Sequence, residues 1–253
     1  MDSHDDDILD QFTKQADLFQ ATHRLAEDAT RAALEVSGVC EKDVVLDVAC
    51  GPGILACAFA RHACHVTGVD ITPAMLERAA GLQRELSLQN VDWLSCDVNH
   101  LPFEDERFSM LITRYAFHHL EQPVAVLAEM ARVCAPGGKV VVIDAAPPAG
   151  KADAFNEVER MRDPSHTEAL PAKDISRMML AQGLQIERSY YYAYEVAAHS
   201  LLARSFPTDG DRDRILHLYE NDVGVDRLAM NARRVDGILH VTFPTMITLG
   251  RKA

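Results

Sequence analysis

The sequence predicts an α/β fold, a mostly parallel sheet with helices on both faces, in a single domain. Three observations predict it. Five short apolar, β-branched runs alternate with helix-patterned segments between residues 43 and 145. The runs are nearly continuous in their apolar character, as strands covered on both faces are. Their carboxyl ends carry most of the polar and acidic residues, and ligands of such sheets bind at that rim.

The elements follow in order. The start, MDSHDDDILD, is acidic and is expected to be a frayed, solvated tail. Ile8, Phe12, Ala16 and Phe19 then share one helical face, and a second helix is expected near 25–36. Strands are expected at 43–49, 65–70, 91–97, 108–114 and 139–145. Between them GILACAFARH, PAMLERAAGLQREL and PVAVLAEMARVC are helical, the second with Pro73 near its first turn. Cys134 and Pro136-Gly137-Gly138 read as turn chemistry before the fifth strand. Residues 146–174 are rich in Pro, Arg and Asp and read as a loop or lid. DISRMMLAQGL is a helix closed by Gly183. QIERSYYYAYEV and LHVTFPTMITLGR alternate like strands, with helical segments near 197–204 and 211–221 between them. Packing in the core is the expectation for the three tyrosines at 190–192.

The chain has 253 residues, enough for one domain that buries roughly 70–75% of its unfolded surface. Without a repeat or a low-complexity linker, residues 1–253 are expected to be one domain: a helical lid over 1–38, a ligand-binding core over 39–145, and a substrate-side lid with the last strands over 146–253. A formal charge of −13 argues against nucleic-acid and anionic-membrane partners. The six cysteines form no C-x-x-C pair and are expected to be reduced, buried thiols. The acidic start does not look like a signal peptide, and no apolar run nears the roughly 20 residues that cross a bilayer. A cytoplasmic location without membrane insertion is the expectation. His62, Cys64 and His65 lie close in sequence but lack a matched set of partners, so no metal is expected.

The chemistry lies at the strand ends. Residues 44–54, VVLDVACGPGI, place Asp47 at the end of the first strand and Gly51 and Gly53 in the turn after it. The second strand ends in Asp70, the third in Cys96-Asp97, the fourth in Arg114-Tyr115 ahead of His118-His119, and the fifth in Asp144. The glycines let the backbone approach a ligand, with a helix N-terminus behind it. Asp70 suits the two hydroxyls of a ribose, and Asp97 suits an exocyclic amine such as that of adenine. The Gly51-x-Gly53-x-x-Ala56 spacing also fits a dinucleotide turn, but the Asp47 carboxylate would repel a pyrophosphate and welcome a cation. Adenine, ribose and a cationic tail together describe S-adenosylmethionine (SAM).

These residues stand in the order D-x-A-C-G-x-G, GVDITPAML, CDVNHLPFEDERF and HHLEQPVAVLAEMARVCAPGGKVVVID. The chain thereby resembles the class I SAM-dependent methyltransferases over about residues 40–145. It is most similar to their type 11 branch, which includes ubiquinone/menaquinone C-methyltransferase-like enzymes. The resemblance implies a seven-stranded, mostly parallel Rossmann-like sheet with one strand inserted antiparallel, capped by the N-terminal helices and a C-terminal insertion. It implies that Asp47, Ala49, Gly51, Gly53, Asp70, Ile71, Met75, Asp97, Val98, Arg114 and Tyr115 bind the cofactor, with Arg114 and Tyr115 near the methionine amino group and the sulfonium. Ala49 and Leu55 stand where the family often has glycine.

The expected activity is methyl transfer from SAM, which becomes S-adenosylhomocysteine, to a small-molecule acceptor. Two rivals stand beside it: a SAM-binding protein that uses SAM for regulation or for chemistry other than methyl transfer, and an NAD-dependent oxidoreductase, which Asp47 disfavours. His118 and His119 are the candidates for a general base, although His119 also fits a packing role. Phe12, Lys14, Phe19, Arg162 and His166 are the candidate substrate residues. The last two belong to ERMRDPSHTEAL, where Arg160 and Ser165 are further candidates to grip an anionic or carbonyl group. The acceptor's identity and the oligomeric state stay open, a homodimer included.

Overall fold

The computed structural model describes residues 3–16, 27–208 and 210–253. Its helices are α1 (Ser3–Ala16), α2 (Glu27–Ser37), α3 (Ile54–Ala60), α4 (Pro73–Glu85), α5 (Pro123–Val133), α6 (Ala152–Arg162), α7 (Ala172–Ala181), α8 (Ala198–Leu202) and α9 (Asp211–Asn221). Its strands are β1 (Val44–Val48), β2 (His65–Asp70), β3 (Val91–Ser95), β4 (Phe108–Arg114), β5 (Cys134–Ala145), β6 (Leu184–Ala197), β7 (Arg233–Val235) and β8 (Ile238–Lys252). The sheet runs β3-β2-β1-β4-β5-β8-β6, with β7 paired on β8. The pairs from β3 to β5 are parallel, and β8 runs antiparallel to both β5 and β6. This is the seven-strand expectation plus the short β7 hairpin strand.

Alternation along the strands sorts the core into two faces. Leu46, Val48, Val140 and Val142 pack with α5 and α7 side chains. Val45, Met110, Ile112, Val141 and Ile143 pack on the other face with Ala33 of α2 and Phe59 of α3. A third cluster joins Phe155, Val158, Leu202, Ile215, Tyr219 and Val241 under the C-terminal cap. The strand order reverses at β1, between β2 and β4, where an open α/β sheet leaves its crevice.

Several expectations change. The acidic start is helical from Ser3, with Asp5 and Asp6 complementing the amino-terminal end of the α1 dipole. Residues 152–162, expected as loop, form α6. Its charged sequence hides an apolar stripe of Ala152, Phe155 and Val158, all buried. Cys134 and Pro136 to Gly138 lie within the span of β5 and across a register shift against β4. Tyr190 and Tyr191 are about half exposed rather than in the core, because β6 is the sheet's edge strand. Cys40 and Cys64 are exposed, against the expectation of burial, and all six thiols are free. Among the described residues no helix is long and apolar enough to cross a membrane.

Candidate active site

A cavity of about 370 Å³ opens at the carboxyl ends of β1 to β5. It is lined by Asp47, Ala49, Gly51, Asp70, Ile71, Met75, Asp97, Val98, Arg114, Tyr115, His118, His119, Phe12, Arg162 and His166. The predicted site is thus brought to one place from seven elements and their loops. Four predicted residues stay outside the lining: Lys14, Gly53, Arg160 and Ser165. Lys14 is exposed and pairs with Asp10. Gly53 faces inward instead: a Cβ there would come within 2.6 Å of Trp93 and 2.8 Å of Ala79. Phe19 lies outside the described residues.

The turn after β1 is built from left-handed backbone, at Ala49 (φ 56°), Gly51 (φ 52°) and Gly53 (φ 75°). The conformation explains why glycine suits position 49, where Ala49 is strained. Asp70 holds this turn, since its Oδ2 accepts from the Gly51 N–H and its Oδ1 from the Thr72 N–H, each at 2.8 Å. Asp97 lies in the open: its Oδ1 accepts from the backbone and side chain of Asn99, at 2.8 and 2.9 Å.

Asp47 is 1% exposed, and its Oδ2 has no hydrogen-bond partner among the described residues. Burial pushes its carboxyl up to about 7, against the pull of Arg114. Asp47 follows Val45 on β1, and Arg114 follows Met110 and Ile112 on β4, so both side chains stand on the face of α2 and α3. Arg114 donates to Thr30 Oγ1 at 2.9 Å and so ties α2 to the site.

The opposite side of the cavity is a cluster of histidines. Asp144 follows Val140 and Val142 on the other face of β5, and there its Oδ1 hydrogen-bonds His118 Nδ1. Burial alone would lower the His118 pKa, yet the Asp144 carboxylate raises it above the usual 6.5. The other ring nitrogen of His118 makes no hydrogen bond among the described residues, and the ring lines the cavity. His119 is different. Its Nδ1 donates to the Ser165 carbonyl at 3.0 Å, its ring stacks edgewise on Phe12, and burial with the neighbouring His118 lowers it to about 4.

The RDPSH loop supports these rings. The Thr167 N–H and hydroxyl both donate to the His118 carbonyl at 2.8 Å. Ser165 donates its hydroxyl to Asp163 at 2.6 Å. His166 Nε2 meets Asn156 Oδ1 at 2.7 Å, and that oxygen also accepts from the Ala169 N–H. The proton of His166 is therefore on Nε2. Its buried Nδ1 is without a partner among the described residues, and burial lowers the ring to about 2. Arg162, expected to grip a substrate anion, forks onto Glu159 at 2.9 and 2.7 Å, so its charge is already met. Arg160 is turned away, donating to the Thr167 carbonyl.

Sequence reading missed Asn156, Glu159, Asp163, Arg204, Tyr194 and Phe243. Asp144 was visible as a strand-end carboxylate, but without a role. No group of His, Cys, Asp and Glu able to hold a metal occurs among the described residues.

Comparisons with known proteins point to methyltransferases. The methyltransferase domain family Methyltransf_11 matches residues 46–142. The uncharacterized methyltransferase YcgJ of Bacillus subtilis is 29% identical over 82% of this chain and 83% of its own. The ubiquinone/menaquinone biosynthesis C-methyltransferase UbiE of Desulfotalea psychrophila is 39% identical, but over only 42% of each chain. A solved structure from Bacillus halodurans C-125, provisionally assigned as a methyltransferase, superposes with a TM-score of 0.81 at 25% identity, covering 88% of this chain and 98% of that one. The strand order, the rim carboxylates and these likenesses lead to one conclusion: residues 46–142 carry a methyltransferase domain, in a chain similar over most of its length to proteins described as methyltransferases.

Proposed function

We propose that the cavity binds SAM at the β1–β3 end and methylates a small-molecule acceptor held against His118. The observation that carries this reading is the convergence of Asp47, Asp70 and Asp97 on one cavity beside a left-handed glycine turn. The orphaned, buried Asp47 Oδ2 fits a ligand with a cationic amino-acid end. Arg114, on the same face, fits that end's carboxylate. A guanidinium would repel the amino group and the sulfonium, beside which the resemblance alone had placed it. Asp70 retains lone pairs for the ribose hydroxyls, and Asp97 with the Val98 backbone takes the adenine edge.

When bound, SAM supplies a methyl group already activated on a sulfonium. The chain's own part is to align the acceptor, exclude water and take a proton where the acceptor carries one. His118 is the base of this reading. Asp144 fixes its orientation and raises its basicity, and the ring lines the cavity. His119, held near pKa 4 and hydrogen-bonded to the Ser165 carbonyl, positions the neighbouring ring.

Titration calorimetry with SAM and S-adenosylhomocysteine tests the first half, and Asp70→Ala should abolish the heat. Incubation with labelled SAM and a metabolite extract tests the second. Saturable SAM binding without S-adenosylhomocysteine production would leave a SAM-binding protein that is not a transferase.

A further inference from the structure

Three arginines line the cavity, and two are committed. Arg162 is forked onto Glu159, and Arg114 bonds Thr30 beside Asp47. The third, Arg204, follows α8. Its Nε donates to the Ser200 carbonyl at 3.1 Å, and its two terminal nitrogens have no partner among the described residues. On the histidine side of the site Glu159 is met by Arg162, Asp163 by Ser165 and Asp144 by His118. The apolar lining of the same cavity includes Phe12, Tyr194, Leu201 and Phe243. An unclaimed guanidinium, aromatic walls and an Asp-oriented imidazole thus face one space.

We propose that the acceptor is an aromatic hydroxy acid, its ring between the Phe12 and Phe243 sides, its carboxylate on Arg204 and its hydroxyl against His118. This inference rests on the methyltransferase reading above. A guanidinium presents two parallel N–H donors that match a carboxylate. A phenolic hydroxyl is acidic enough to pass its proton to a carboxylate-backed imidazole. The balance is complete. The hydroxyl proton goes to His118 and then to solvent, the oxygen forms a bond to the methyl carbon, and the broken carbon–sulfur bond leaves its electron pair on sulfur. The products are the aryl methyl ether, S-adenosylhomocysteine and one proton.

The test is equilibrium binding to protein saturated with S-adenosylhomocysteine. The probes are 4-hydroxyphenylacetate, 4-hydroxycinnamate and 3,4-dihydroxybenzoate, each with its primary amide and the corresponding amine. At least one acid should bind about tenfold or more tighter than its amide. Arg204→Gln should erase that ratio while S-adenosylhomocysteine still binds, which serves as the control for folding. The ultraviolet ionisation band of the bound phenol should weaken in His118→Gln. The inference is overturned if no acid binds, if acid and amide bind equally, if the ratio survives Arg204→Gln, or if the amine is preferred, which would point to Asp5 in the same lining. Failure of S-adenosylhomocysteine itself to bind would instead sink the methyltransferase reading on which the inference depends.

Discussion

Asp144→Asn removes one charge and leaves the shape of the side chain. In the native protein the Asp144 carboxylate accepts from His118 Nδ1 and from the Ala145 N–H, and both residues are buried. A hydrogen bond to a charged group contributes about 1.5–3 kcal/mol, and a neutral one about 0.5–1.5. The exchange therefore removes about 1–1.5 kcal/mol of preference for the imidazolium, or about one unit of pKa. The native ring, whose pKa is raised, should titrate above 6.5 in an NMR experiment on its ring nitrogens. In Asp144→Asn the midpoint should fall by about one unit. The acidic limb of kcat/KM should move with it, because the proposed base would work in its neutral form. The sign for stability follows. A raised pKa stabilises the fold fully below 6.5, and the gain is lost as pH rises through the folded value. Asp144→Asn should thus lower Tm most near pH 6 and least near pH 9. A wild-type His118 that titrates at or below 6.5, or an unchanged midpoint in the variant, would refute the dyad.

Other expectations separate binding from folding. Asp47→Asn removes a buried carboxylate raised to about 7. Its ionisation costs the apo fold progressively as pH rises from 3.8 to 7. The variant should therefore match or exceed the wild-type Tm at pH 8 in thermal unfolding, while calorimetry shows S-adenosylhomocysteine bound at least about tenfold more weakly. Asp70→Ala leaves the Gly51 and Thr72 N–H groups without their acceptor, at about 1–3 kcal/mol each, and should lose both Tm and ligand. Gly53→Ala drives a Cβ into Trp93 and Ala79 from a left-handed backbone and should cost about 2 kcal/mol or more in denaturant unfolding. Ala49→Gly relieves a φ of 56° and should stay within about 1 kcal/mol of wild type, with cofactor affinity kept.

The alternation of apolar runs and helices was enough to read the parallel sheet, because strands covered on both faces have few other ways to be written. The carboxylates at the ends of β1, β2 and β3 were legible for the same reason. Once strand ends are known, a parallel sheet puts them on one rim. The period of two within each strand carried more than was taken from it. It places Asp47 and Arg114 on one face and Asp144 on the other, and that division separates the proposed cofactor end from the histidine end.

What only the tertiary structure decided depends on contacts far apart in sequence. His118 and Asp144 are 26 residues apart, and nothing local marks the second as the partner of the first. Arg162 looked like a substrate anchor because a sequence shows its charge but not the fork that Glu159 closes on it once α6 forms. Arg204 looked unremarkable until the cap turned it into the cavity. Lys14 and Phe12 lie two residues apart on one helix, and packing against His119 set their different fates. Local periodicity determines which residues reach the rim. Charge pairing and burial across the cap determine which of them are left with a free valence for a ligand.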